Sequence, residues 1–132
     1  MIDELISTEI PDEQTHPHLF VLVKKFMIHG PCGPDIPSPC LDDHQRCSKH
    51  FPKPFLSTTQ ITGDLYVQTR RRDTGHFVQV GRHMVDNHSV ISYCPYLTLR
   101  YEVHINVECT SGFQAVKYIY KVCPFHSYLL LC

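Results

Sequence analysis

Residues Gly30 to Pro54 most constrain this chain: they are rich in Pro and Gly, follow neither a helical nor a strand period, and hold three of the seven cysteines. A loop of that length inside a compact domain needs something to tie it down. His29, Cys32, Cys40 and Cys47 supply four nitrogen or sulfur donors, spaced His-x2-Cys and then x7 and x6. Tetrahedral zinc takes four such donors at about 2.0–2.3 Å, and a turn at Gly30-Pro31 would bring the first two together. The spacing is not a standard finger pattern. A proline-rich loop with unligated, partly buried thiols is the competing reading, and His44 or His50 can stand in for His29.

The metal reading leans on compartment. Residues Met1 to Pro11 carry acids and no basic leader, so no secretory signal is expected and the setting is read as intracellular. There, cysteines grouped with histidine bind metal more often than they form disulfides. Cys94, Cys109, Cys123 and Cys132 read as small core residues or terminal features. With 132 residues, 42% hydrophobic and 19% charged, the chain suits one globular domain and has no run long enough to cross a membrane.

Around the loop the periodicity predicts an α+β fold. Met1 to Gln14 reads as an extended, acidic lead-in. Pro17 suits the first turn of a helix, Leu19, Phe20, Val23, Phe26 and Met27 continue it at helical spacing, and Gly30 stops it. Leu65 to Arg72 and His76 to Val80 read as a hairpin turning at Asp73-Thr74-Gly75. Arg100 to Cys109 alternates, which predicts a strand with Tyr101, Val103, Ile105 and Val107 buried. Ser111 to Lys121 predicts a second helix, with Pro124 beyond it.

Charge is uneven. Residues 1–66 hold five Lys/Arg against nine Asp/Glu, and residues 67–132 hold seven against four. Arg70, Arg71 and Arg72 are therefore candidate phosphate contacts, against the alternative of a solvated strand end. Tyr118 and Tyr120 share the predicted second helix with Lys117 and Lys121. A helical tyrosine beside lysine can attack a phosphodiester, although packing tyrosines are the commoner finding.

Seven segments in order extend this reading: Ile6 to Asp12 (ISTEIPD), Met27 to Gly33 (MIHGPCG), Cys47 to Phe55 (CSKHFPKPF), Arg70 to Gly75 (RRRDTG), Tyr93 to Leu97 (YCPYL), His104 to Cys109 (HINVEC) and Ala115 to Lys121 (AVKYIYK). Together they resemble the Rep region of Helitron rolling-circle transposon proteins, often labelled a helicase-like domain. The resemblance implies a partial Rep-type endonuclease domain over residues 1–121 and an unrelated tail over 122–132. It implies a parent that nicks and rejoins single-stranded DNA through a tyrosine, using Mg2+ or Mn2+, and unwinds DNA with a separate ATP-driven helicase in the nucleus. Tyr118 falls at the family's first tyrosine, with Arg70, Arg71, Arg72, Lys117 and Lys121 as the DNA contacts. The second tyrosine's place is taken by Val122, and the family's His-hydrophobic-His metal motif would lie upstream of Ile6. The chain alone is therefore expected to be a catalytically inactive fragment. The alternative is a non-catalytic, zinc-containing module that binds DNA or protein.

Overall fold

The computed structural model describes residues 1–63 and 66–109, together with a strand at 128–130. Within them the fold is α+β. The acidic lead-in opens as a short helix, α1 (Ile2–Leu5), rather than as extended chain. Its Ile2 and the following Ile6 pack toward Cys94, Ile105 and Val107, so burial of one apolar face has overridden the weak local pattern. Helix α2 (Pro17–Phe26) forms as its sequence predicts, with Pro17 in the first turn and Lys24 and Lys25 in the last, where cations complement the helix dipole.

Helix α2 is the main packing surface. Leu19 and Val23, continued by Met27, bury against Val90 and Tyr93. Phe20 turns to a second cluster with Val78 and Val85. Those two valines belong to β3 (Val78–Val80) and β4 (His83–Val85), an antiparallel hairpin closed over Gly81-Arg82 with Gly81 at φ +61. A second antiparallel pair joins β1 (Gln60–Ile61) to β2 (Val67–Gln68). The expected hairpin across Asp73-Thr74-Gly75 is thus replaced by two local ones. A turn does form there, with Gly75 at φ +65 and its N–H donating to Asp73, but the segments flanking it pair elsewhere.

The alternating run Arg100 to Cys109 is also corrected. Its start belongs to α3 (Pro95–Tyr101), which Pro95 opens and Glu102 ends in the left-handed conformation at φ 51. Only β5 (Asn106–Glu108) is strand, paired in parallel with β6 (Tyr128–Leu130). Ile105 and Val107 are buried as expected, whereas Tyr101 and Val103 are 59% and 47% exposed. Thr98 on α3 is fully buried and Leu97 packs on the Ile6 cluster, so a helix set by Pro95 outcompetes the period-two pattern. His104 donates from Nδ1 to the Phe26 carbonyl at 2.7 Å, a structural role. The predicted helix Ser111 to Lys121 lies outside the described residues, as does its position relative to His104.

The segments are held together by side chains that satisfy buried backbone. Asn87 is 3% exposed; its Oδ1 accepts from the Ile10 N–H at 2.8 Å and its Nδ2 donates to the Arg72 carbonyl at 2.9 Å. Ser7 and Tyr93 exchange backbone hydrogen bonds, and the Tyr93 hydroxyl donates to the Glu9 carbonyl at 2.8 Å. A buried polar group left without its partner costs about 1–3 kcal/mol. Replacing Asn87 with alanine orphans two of them, so Asn87→Ala should lower unfolding stability by about 2–4 kcal/mol in a denaturant titration. A change below about 0.5 kcal/mol would show that water readily replaces the amide.

Candidate metal centre

Both ends of the Gly30–Pro54 loop are stapled to one place. The His29 N–H donates to the Ser89 carbonyl at 2.8 Å, and the Lys53 N–H donates to the neighbouring His88 carbonyl at 2.9 Å. Residues Asn87–Ser89 form a 3-10 turn capped by the Asp86 side chain, giving both strands of the loop's neck a fixed base. Between those anchors the loop contains only single bridges, Gly33 with Ile36 and Leu41 with Cys47, and no longer strand or helix.

What fills the loop's centre is the predicted donor set. The ligand atoms of His29, Cys32, Cys40 and Cys47 all lie within 4.8 Å of one another. His29 Nε2 stands 3.4 Å from Cys32 Sγ, 3.5 Å from Cys40 Sγ and 3.4 Å from Cys47 Sγ. Four donors arranged tetrahedrally around zinc, with nitrogen at about 2.0–2.1 Å and sulfur at about 2.3 Å, would place nitrogen and sulfur about 3.5–3.6 Å apart. The arrangement is therefore compatible with a Cys3His zinc site. None of the three cysteines is in a disulfide. His44 and His50, the substitutes weighed for His29, are not in the group.

Surrounding groups orient the donors, as outer partners of metal ligands generally do. The His29 ring stacks on Phe51 with centroids 4.3 Å apart and planes 12° apart. Ser38 Oγ lies 3.0 Å from Cys40 Sγ, in place to donate to a thiolate. Burial raises the Cys32 thiol to about 12, with the neighbouring Cys40 and Cys47 adding to the effect. Burial also opposes ionisation of Cys47, but backbone N–H groups of Phe51 and Lys49, together with the Cys32 and Cys40 thiols, outweigh it and bring that thiol below its ordinary range. Burial, with Lys49 and Lys53 nearby, lowers His29, so its ring keeps a free lone pair further into acid. Three thiolates, one neutral imidazole and a divalent ion would leave one negative charge, within electrostatic reach of Lys49 and Lys53.

The other predicted site residues fare differently. Arg71 is 4% exposed, and its Nη1 donates to the carbonyls of Thr8, Asn87 and Val90. Arg72 makes a two-pronged contact with Glu9, at 2.9 Å from Nε to Oε1 and 2.8 Å from Nη2 to Oε2. Arg70 faces Asp3 and Glu9 at 3.9 and 3.7 Å. Burial works against the Glu9 charge, yet its bonds to Arg72 hold the carboxyl below the usual range. The arginine run thus clamps the Ile6–Asp12 segment, with Arg71 buried and Arg72 half exposed. Tyr118, Lys117 and Lys121 lie outside the described residues. Sequence reasoning missed Ser38 and Phe51; the aromatic-lysine run Phe51-Pro-Lys-Pro-Phe55 beside the last cysteine was the available signal.

The chain matches no protein-family model and no curated protein. Among the described residues no helix is long and apolar enough to cross a membrane.

If the four donors share one ion, purified chain should carry about one zinc per molecule by elemental analysis. Cys40→Ser and His29→Ala should each lower that content, whereas His44→Ala should leave it unchanged. Acid should release the metal, because protons compete for three thiolates and an imidazole. Full zinc retention by the Cys40→Ser and His29→Ala chains would contradict this ligand set.

Proposed function

We propose that this chain is part of a Helitron-type Rep protein and that its described residues form a zinc-tied scaffold rather than the nicking centre. The observation that carries the scaffold reading is the convergence of His29, Cys32, Cys40 and Cys47. A zinc with four protein ligands has no open position for water or phosphate, which marks structural sites off from catalytic ones. Among the described residues no other group of three His, Cys, Asp or Glu side chains converges in this way.

What supports the family reading is the way the resembling segments meet. Met27 to Gly33 brings His29 and Cys32, and Cys47 to Phe55 brings Cys47 and the stacking Phe51, to the same centre. Ile6 to Asp12 is gripped by Arg70 and Arg72 from Arg70 to Gly75, and is bridged to Tyr93 from Tyr93 to Leu97. In the parent protein this body would support a separate metal-bound histidine pair and a tyrosine at the position of Tyr118. A non-catalytic module that holds DNA or protein is the second reading. The closed donor set favours it equally, since such a site stabilises a fold without chemistry.

Incubation with labelled single-stranded DNA and Mn2+ or Mg2+, followed by denaturing electrophoresis, tests the first reading. No covalent protein–DNA adduct is expected, because the described residues offer no second metal-ligand group to offset charge on the phosphate oxygens, and loss of even one oxyanion donor costs about 10²–10³ in rate. An adduct abolished by Tyr118→Phe would show a complete nicking centre and overturn the scaffold proposal.

A further inference from the structure

Beside the loop's exit, a partly enclosed cleft of about 120 Å3 opens between residues 53–56, β2 and the end of β5. Liquid water takes about 30 Å3 per molecule, so the space holds on the order of four waters, or one ion with four oxygens. Lys53, Tyr66, Arg71 and Glu108 line it, with the hydroxyl residues Thr69 and Ser92. Arg71 is buried, yet only its Nη1 is engaged by carbonyls; Nε and Nη2 make no hydrogen bond to a described residue. Among the described residues Glu108 forms no ion pair with Lys53 or Arg71, although all three border the same space.

We propose that this cleft binds a protonated phosphate group, either inorganic phosphate or the terminal monoester of a larger molecule. The two cations face its charged oxygens, the hydroxyl groups add donors, and the Glu108 carboxylate accepts the P–OH proton. The lining carries two positive charges and one negative, so one anion is favoured. The carboxylate supplies selectivity, because a monoester or hydrogen phosphate can donate to it. Sulfate and an internal phosphodiester carry no proton at neutral pH and meet Glu108 with acceptors only, which leaves like charges opposed. Two other features agree with a space that wants an anion. Burial lowers Lys53, with Arg71 also lowering it against the opposing pull of Glu108, and burial brings Arg71 down to about 10. This inference is independent of nicking and of the family reading.

The test uses the full, zinc-loaded chain titrated calorimetrically with inorganic phosphate and with sulfate. Labelled oligonucleotides with and without a 5′-phosphate are followed in parallel by anisotropy. Saturable phosphate binding is expected, with sulfate at least about tenfold weaker. Lys53→Met should weaken phosphate by about tenfold or more, the loss of one charge-assisted hydrogen bond. Glu108→Gln should erase the preference by admitting sulfate. Arg71 is left intact because it also holds backbone. Preferential binding of the 5′-phosphorylated strand, displaced by inorganic phosphate, would assign the group to a strand end; phosphate binding without that preference would assign it to the free ion. Equal affinity for sulfate and phosphate in the unmodified chain, or no saturable phosphate binding, overturns the proposal.

Discussion

Convergence of one imidazole and three thiols is the constraint on which the middle of this molecule depends. Gly30 to Pro54 buries little apolar surface and forms no ladder beyond single bridges. Ordering each backbone residue costs roughly 1–2 kcal/mol, which such a loop cannot recover from packing. A structural zinc contributes on the order of 10–16 kcal/mol in small peptides at neutral pH, which offsets a substantial part of that cost. The metal reading therefore explains why a proline-rich excursion leaves and rejoins the fold at two adjacent carbonyls, His88 and Ser89.

That neck ties the metal loop to the rest of the body. Asn87 in the same turn holds Ile10 and Arg72, and the carbonyls of Asn87 and Val90 accept from Arg71. The residues flanking the turn thus receive the loop, the acidic N-terminal segment and the arginine run. Their carbonyls and the Asn87 amide substitute for a large sheet, since the described strands are only two or three residues long. The design places polar satisfaction where extended ladders would otherwise supply it.

The parts legible in the sequence were those with a local signal. Pro17 and the helical spacing after it located α2, and the donor set could be read because three cysteines and a histidine fall in or beside one proline-rich loop. The strands were less legible for a physical reason. Two- and three-residue strands leave little alternation to read, and the Gly81-Arg82 turn offers a single glycine as its signal. Pro95 carried a helix signal that the alternation after Arg100 obscured. The internal contacts of the arginine run were not legible because sequence gives a charge but not its partner. Glu9 and Asn87, both far along the chain, determine that Arg71 is buried and Arg72 clamped.

Zinc X-ray absorption on the purified chain tests the central claim most directly. The account predicts a first shell of three sulfurs at about 2.3 Å and one nitrogen at about 2.0–2.1 Å, with imidazole scattering beyond it. A shell with fewer than three sulfurs, or one dominated by oxygen, would contradict a Cys3His centre as the anchor of this fold.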